Sequence, residues 1–251
     1  MNLIGTMGVV VVIKIENVDV FGWEAAIRGM RNPKNSWDKS DSVSDYPDCE
    51  NCLHNTGNCH VMSNSCFVAG ENDLKLMKTL SNAGQDHGKF LRYLVVQLDL
   101  DAPFYWWKEF KTYRKGRKFM DDGDEFLDPE EYEMFIETNS CSTMHKIHAK
   151  EFTMDDFSHE HNLYWGNLEH TIDALNHARE QYLLTKNKKY WYSMIQMLPS
   201  SYNQKRTVQL NYAVLKNMYH ARRYHKLDEW RDFCEWIRSL PYSELITGEE
   251  S

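Results

Sequence analysis

Residues 190–222 read YWYSMIQMLPSSYNQKRTVQLNYAVLKNMYHAR, and this stretch carries most of the information about the fold. A short amphipathic segment runs into Leu198 and Pro199, where the proline ends a helix. After a turn, the spacing predicts a long helix over residues 206–224. One stripe of that helix carries, at i, i+4, i+7 and i+11, the residues Asn211, Leu215, Met218 and Arg222.

Polar side chains on this apolar stripe allow two interpretations. If Asn211 and Arg222 are buried beside leucine and methionine, both need hydrogen-bond partners. A planar ligand with carbonyl and phosphate acceptors would supply those partners. The alternative is a helix end that faces solvent and carries ordinary polar residues.

A second informative segment lies in residues 87–114. His87 and Phe90 precede a predicted strand over residues 92–100, whose hydrophobic pattern alternates. Pro103 then opens a predicted helix, because proline is tolerated in the first helical turn. This helix runs through residue 113 and is followed directly by Arg114.

A third segment, Asn139-Ser140-Cys141-Ser142, follows an irregular stretch over residues 115–138. The middle of that stretch is strongly acidic and predicts a solvated loop. A second irregular stretch, over residues 33–70, is polar and rich in cysteine. We therefore expect one domain over residues 1–251, with a Cys-rich insertion at about 33–70 and an acidic insertion at about 115–138.

The remaining segments favour the α+β class, with a small antiparallel sheet and a helical C-terminal half. The β-branched run in residues 8–15 predicts a buried strand, and residues 22–30 predict a short helix. Asn72 is placed to cap a helix that carries Leu74, Met77 and Leu80 on one side. Further helices are predicted in the last third of the chain over residues 168–182, 190–197 and 227–240.

The composition excludes several classes of protein. A formal net charge of -8 argues against general nucleic-acid binding, which needs a surplus of lysine and arginine. The longest apolar run, residues 9–13, is too short to span a bilayer. We expect a cytoplasmic protein whose cysteines are reduced or bound to metal. The 8 tryptophans and 14 tyrosines fit a large core with an oligomer interface, or surfaces that stack on a planar ligand.

Together, these three segments resemble the flavin-dependent thymidylate synthases. In that family a helix ends in Leu-Pro, and a later helix carries polar residues at the spacing of Asn211, Asn217 and Arg222. The resemblance implies that the two asparagines help to hold the flavin. It also implies that Arg222 grips the uracil ring of the nucleotide.

The other two segments add further candidate residues through the same resemblance. His87 lies in the segment that corresponds to a His-rich stretch of the family, and Arg114 falls on the last arginine of an Arg-His-Arg motif. The resemblance thereby implies that both bind the cofactor. Ser142 corresponds to a serine that contacts the nucleotide, so Arg222 and Ser142 are the expected catalytic residues.

The resemblance also implies an activity. Family members methylate dUMP at C5 with methylenetetrahydrofolate as the carbon donor, FAD as the hydride donor and NADPH or a similar compound as the reductant. Their sites form between the subunits of a homotetramer. An arginine beside the uracil carbonyl would stabilise negative charge on the ring. Ser142 is expected to position the nucleotide, because no base at motif spacing would activate it as a nucleophile.

The sequence departs from the family pattern at six positions. Thr112 and Tyr113 replace the first two residues of the Arg-His-Arg motif, and Met144 and Ile195 replace arginines. Ser140 replaces a glutamate, and Glu109 replaces a glutamine. Losing arginines and gaining a carboxylate weakens the binding of a phosphate dianion, since charge-assisted contacts are the strong ones.

The Cys-rich insertion contains four cysteines with the spacing C-x2-C-x6-C-x6-C: Cys49, Cys52, Cys59 and Cys66. Four thiolates could bind zinc tetrahedrally and organise a loop that lacks a core. The alternative is a set of free cysteines in a polar insertion.

Three functional hypotheses remain open at this point. The chain is a divergent flavin-dependent thymidylate synthase, or a catalytically inactive protein of the same fold that binds nucleotide or flavin, or a zinc-bearing interaction module. The retained Asn211, Asn217 and Arg222 favour the first hypothesis, whereas Thr112 and Tyr113 in the degenerate motif favour the second.

Overall fold

The structure, a computed structural model, describes residues 13–45, 66–114 and 136–248. These ranges contain six strands and eight α-helices, joined by short 3-10 helices. The strands are β1 (Lys14–Phe21), β2 (Val43–Asp45), β3 (Cys66–Val68), β4 (Val95–Pro103), β5 (Glu137–Ser140) and β6 (Asn203–Asn211). The helices are α1 (Trp23–Arg31), α2 (Glu71–Asn82), α3 (Phe104–Phe110), α4 (Trp165–Thr185), α5 (Lys188–Met197), α6 (Tyr212–Arg222), α7 (Asp228–Arg238) and α8 (Glu244–Thr247).

Four of the strands form an antiparallel sheet in the order β1-β4-β6-β5. The two central strands pair along their whole length, so that Leu98 lies opposite Val208 and Val95 lies opposite Asn211. Because side chains alternate between the faces of a strand, every second residue of β4 and β6 points to the same side. One face of the sheet is therefore buried and largely apolar, and the other is polar.

The buried face of the sheet packs against an aromatic core. Trp106 and Trp107 of α3 and Trp230 and Phe233 of α7 are almost completely inaccessible to solvent. The ring centroids of Trp106 and Trp230 are 4.7 Å apart, which joins the two helices directly. Aromatic pairs of this kind add to the stabilisation from burial. Much of the aromatic surplus in the sequence is thereby accounted for by the core.

A second hydrophobic cluster lies beneath the hairpin formed by α4 and α5. Leu175 of α4 and Met194 of α5 are fully buried there, together with Phe157 from the preceding segment. Phe157 also contacts Tyr202 at a ring separation of 5.4 Å. This cluster supports the chain where it enters β6.

The structure confirms the expected α+β class, with its small antiparallel sheet and helical C-terminal half. One sequence-based element is wrong. The helix predicted over residues 206–224 begins only at Tyr212, because Asn203–Asn211 is the strand β6. Alternate residues of that stretch are buried, and it fills the gap between β4 and β5, so pairing on both sides outweighs its helical spacing.

Other boundaries also differ from the predictions. The strand predicted over residues 8–15 continues as β1 to Phe21, and its first residues lie outside the described ranges. Pro103 ends β4 and caps α3 instead of lying in the first helical turn. Within the stretch predicted to be irregular over residues 33–70, β2 and β3 pair with each other. Short strands of this kind carry too few residues for a periodic signal.

Candidate functional site

Asn211 lies at the junction between β6 and α6. Its backbone is extended, and its side-chain oxygen accepts a hydrogen bond of 3.0 Å from the backbone nitrogen of Val214. Asn211 is therefore the N-cap of α6 and satisfies a backbone donor that would otherwise lack a partner. The side chain is only 8% exposed, and its amide nitrogen donates no hydrogen bond to any of the described residues.

Asn217 and Arg222 lie further along α6. Asn217 is half-buried in the middle of the helix, and Arg222 is its last residue. The stripe expected from the sequence thus survives from Leu215 onward, although Asn211 precedes the helix. The three polar residues that carry the resemblance therefore lie on α6 or at its N-cap.

The Arg222 side chain is enclosed by aromatic rings. Its guanidinium carbon lies 5.4 Å from the centre of the Tyr113 ring and 5.1 Å from the centre of the Trp230 ring. Cations are attracted to the faces of such rings, which fixes the direction of the side chain. Its Nε atom is buried and makes no hydrogen bond within the described residues.

Glu109 of α3 supplies the negative charge next to Arg222. The Oε2 atom of Glu109 lies 3.5 Å from Nη2 of Arg222 and 3.8 Å from Nε2 of His225. The same oxygen accepts a 2.9 Å hydrogen bond from Nε1 of Trp230. Burial raises the pKa of Tyr113 in this cluster, although the adjacent Arg222 acts in the opposite direction. The phenol therefore stays protonated and neutral across the physiological range.

Ser142 follows β5 at the other end of the sheet. The strand is extended by two bonds to β6: the Cys141 amide donates to the Lys205 carbonyl at 3.0 Å, and Nε2 of Gln204 donates to the Cys141 carbonyl at 2.8 Å. Ser142 itself is exposed. Its hydroxyl is therefore accessible to a ligand, and the backbone before it is held in place.

The two remaining candidates have less defined surroundings. His87 is exposed and precedes the 3-10 helix Gly88–Arg92, which packs against α1, α2 and α6. Arg114 ends the 3-10 helix Lys111–Arg114, and its side chain lies outside the described part of the structure. Their role as cofactor-binding residues stays a prediction.

Solved structures of other proteins share this architecture. The chain is similar to a crystal structure of thymidylate synthase X (ThyX) from Helicobacter pylori with FAD and dUMP, with a TM-score of 0.61 and 14% identity over 94% of this chain and 97% of that chain. For a second structure of flavin-dependent ThyX from Helicobacter pylori, complexed with FAD and dUMP, the TM-score is 0.57 and the identity 15%, over 94% of this chain and 98% of that chain. The chain has the ThyX fold. No family model and no curated protein matches the sequence.

On this ThyX fold, two of the positions that depart from the family pattern carry apolar side chains. Ile195 packs against the hydrophobic cluster beneath α4 and α5. Met144 is exposed, and its carbonyl oxygen accepts a 2.9 Å hydrogen bond from Nε1 of Trp191. Neither residue offers a positive charge to a ligand.

The predicted zinc site falls largely outside the described residues of the ThyX fold. This applies to Cys49, Cys52 and Cys59, while Cys66 begins β3 with a side chain that is not described. Elsewhere, in residues 13–45, 66–114 and 136–248, no group of three or more His, Cys, Asp or Glu side chains is arranged to hold a metal ion. None of the helices in those ranges has the length and apolar character of a membrane span.

Arg206, on the buried face of the sheet, is not among the site residues that the sequence predicts. The helix predicted over residues 206–224 includes it, and a helix gives no information about neighbours in a sheet. In β6 it faces the interior, and its guanidinium carbon lies 4.2 Å from the centre of the Trp107 ring. Alternation in residues 203–211, interpreted as a strand, would have placed Arg206 on the same face as Val208 and Leu210.

Proposed function

We propose that the protein is a divergent flavin-dependent thymidylate synthase that binds FAD and methylates dUMP, or a related pyrimidine nucleotide, at C5. The ThyX fold supports this proposal, and the Helicobacter pylori proteins that share it bind FAD and dUMP. The observation that carries the proposal is the position of Arg222 at the end of α6, with a buried Nε atom that lacks a hydrogen-bond acceptor among the described residues.

The residues around Arg222 fit a planar nucleotide and its flavin partner. A buried N–H group without an acceptor costs about 1–3 kcal/mol, so a ligand carbonyl placed there would remove a penalty. Asn211 contributes a second donor, because its oxygen caps α6 while its amide nitrogen remains available within the described structure. Asn211 and Asn217 would hold the flavin, and Arg222 would hold the pyrimidine.

The chain's own groups would bind, orient and polarise the nucleotide. In the proposed reaction, methylenetetrahydrofolate supplies the carbon, and FAD reduced by NADPH supplies a hydride. Arg222 would donate to a carbonyl of the pyrimidine and stabilise negative charge that develops on the ring. The exposed hydroxyl of Ser142 would hold the nucleotide in register by hydrogen bonding, and the enclosure of Arg222 by Tyr113 and Trp230 would limit its movement.

A second candidate function is nucleotide or flavin binding without catalysis. The ion pair between Arg222 and Glu109 favours it, because the Glu109 carboxylate already interacts with one nitrogen of the guanidinium. The apolar residues Met144 and Ile195 favour it as well, since neither can neutralise a phosphate.

One set of measurements separates the two candidates. The purified protein is titrated with FAD and dUMP, and release of the C5 hydrogen from labelled dUMP is then followed with NADPH and methylenetetrahydrofolate present. Release supports the synthase. Binding of FAD and dUMP without release supports the binding protein, and the absence of any binding contradicts both.

The variant Arg222→Ala tests the residue on which the proposal depends. Removing a donor to developing charge should cost about 2–4 kcal/mol, or roughly 30- to 1000-fold in rate. Arg28→Ala is the matched control, because Arg28 is an exposed arginine of α1. If both variants keep the wild-type rate, Arg222 does not have the proposed role.

We further propose that the protein assembles as a homotetramer, as the resemblance implies. Exposed apolar side chains on and before α4, including Leu163, Tyr164 and Leu184, are consistent with a surface that another subunit covers. Light scattering at micromolar concentration tests the assembly, and a stable monomer would rule it out.

A further inference from the structure

Arg206 is a buried arginine without a buried counter-charge. It is only 8% exposed and lies in the centre of β6. Its Nε and Nη2 atoms donate to Oε1 of Gln204, at 3.0 and 2.7 Å. Among the described residues, it forms an ion pair with no carboxylate, and burial lowers the pKa of the guanidinium.

A neutral amide oxygen compensates this charge only in part. Removing a guanidinium from water is costly, and buried charges in proteins are generally paired with an opposite charge. Gln204 accepts two of the five N–H groups that an arginine carries. The remaining donors, including those of Nη1, have no acceptor among the described residues. These N–H groups of the guanidinium are therefore available to an oxyanion.

The surroundings hold the guanidinium in a fixed plane. The Trp107 ring covers one face at 4.2 Å, and Nε1 of Trp107 donates to the Gln204 carbonyl at 2.9 Å. Gln204 is itself anchored, because its Nε2 atom donates to the Cys141 carbonyl at 2.8 Å. Arg206 therefore belongs to a rigid array that links β6 to the end of β5.

This array lies next to the segment with the proposed nucleotide contact. Ser140 is directly opposite Arg206 in the antiparallel pair of β5 and β6. Side chains that oppose each other in such a pair point to the same face, with their Cβ atoms about 4.5–5.5 Å apart. Ser142 follows two residues later, so Arg206 and Ser142 lie near the same end of the sheet.

We propose that Arg206 binds an oxyanion of the ligand, in the first instance the phosphate of the nucleotide. This inference rests on the proposed function for the identity of the ligand, but the anion site itself does not depend on catalysis. Arg206 would restore the positive charge that is missing at Met144 and Ile195. The carboxylates of the folate are the other source of an oxyanion near this site.

The experiment compares ligands with and without phosphate. We expect Arg206→Met to weaken dUMP binding by roughly 10- to 100-fold, as for loss of a charge-assisted contact, and to leave deoxyuridine binding unchanged. Gln204→Glu keeps the arginine and pairs it with a carboxylate, and should weaken dUMP binding in the same way. Lys205→Met is the control, since Lys205 lies on the opposite face of β6, where it pairs with Glu16.

The outcomes separate this inference from the proposed function. Equal weakening of dUMP and deoxyuridine binding by Arg206→Met, or unchanged dUMP binding in both test variants, would overturn the phosphate site. If folate binding alone weakens, the oxyanion is the carboxylate of the folate and the phosphate assignment is wrong.

Inorganic phosphate provides a test when wild-type protein binds no dUMP, which would contradict the proposed function alone. Phosphate should then raise the midpoint of thermal unfolding of the wild type and of Lys205→Met, but not of Arg206→Met. A wild-type protein that phosphate does not stabilise would refute the anion site.

Discussion

Arg222 and Glu109 form an ion pair in which Nη2 of the arginine lies 3.5 Å from Oε2 of the glutamate. The glutamate is held in position by Nε1 of Trp230, which donates to the same oxygen at 2.9 Å. A ligand carbonyl that approaches Arg222 must therefore compete with a fixed carboxylate. Under the proposed function, this competition would make residue 109 a determinant of nucleotide affinity.

We expect Glu109→Gln to bind dUMP more tightly than the wild type, by roughly two- to fivefold. The gain is modest because partly exposed ion pairs contribute about 0.2–1 kcal/mol. A glutamine oxygen can still accept from Trp230, so the side chains around Arg222 should keep their arrangement. Titration calorimetry measures the affinity, and Glu235→Gln, at an exposed ion pair with Arg238, is the control. Unchanged or weaker binding in Glu109→Gln would show that the pair does not limit access to Arg222.

Substitutions of Asn211 should separate helix capping from flavin binding. Asn211→Ala loses the cap on α6 and should lower the free energy of unfolding by about 1 kcal/mol. Asn211→Ser retains a capping oxygen, so its stability should stay within a few tenths of a kcal/mol of the wild type. Both variants lack the amide nitrogen and should lose FAD affinity.

Asn187→Ala is the matched control for capping. Asn187 caps α5 by accepting from the backbone nitrogen of Lys189 at 3.1 Å. Its removal should destabilise the protein without affecting FAD affinity. Urea denaturation and flavin titration measure the two effects, and normal FAD binding by Asn211→Ser would exclude the proposed contact.

The buried pair Arg31–Asp73 should make stability depend on pH in the acid range. Burial alone would raise the pKa of Asp73, but hydrogen bonds from Ser42, Ser40 and Arg31 outweigh it and leave the pKa lowered. A lowered pKa in the folded state stabilises the protein above the ordinary value of 3.8, and this contribution is lost as the pH falls through the folded-state pKa.

Asp73→Asn should therefore destabilise the protein by about 3–5 kcal/mol at neutral pH, because it leaves Arg31 buried without its counter-charge. The difference from the wild type should shrink as the pH falls below the ordinary value for aspartate. Urea denaturation at a series of pH values provides the measurement, with the exposed Asp86→Asn as control. A difference that does not change with pH would contradict the assignment to this carboxylate.

Alkylation should distinguish the two cysteines whose side chains are described. Cys141 is exposed, whereas burial raises the pKa of Cys234 to about 12. The thiolate is the reactive form, so near pH 8 its fraction at Cys234 is on the order of a thousandfold below that of an ordinary thiol. Mass spectrometry after iodoacetamide treatment should find Cys141 modified and Cys234 intact.

Bound nucleotide should also protect Cys141, because this residue precedes Ser142. Rapid modification of Cys234 in the folded protein would contradict the packing of α7. Labelling of Cys141 at the same rate with and without dUMP would count against a nucleotide contact at Ser142.

Local sequence patterns predicted the type of those helices and strands whose conformation is set by residues within the same segment. The helices α1 and α2 and the strand β4 follow from hydrophobic spacing. Their ends do not: Gly70 and not Asn72 is the N-cap of α2, and β4 continues past residue 100 to Pro103. The segment 206–211 was assigned incorrectly, because its composition allows either a helix or a strand. Only the presence of β4 and β5 on its two sides selects the strand, through hydrogen bonds that no local pattern encodes.

The sequence by itself determined which chemical groups the protein has and their order along the chain. It showed the spacing of Asn211 and Arg222, the apolar residue at Ile195 and the carboxylate at Glu109. Tertiary structure decided which of these groups meet. Trp230 reaches Glu109 across 121 positions of the chain, and Trp107 reaches the Gln204 backbone across 97. Contacts over such distances form when the sheet and the helices bury their apolar faces together, and the periodicity of one segment carries no information about its partner in another.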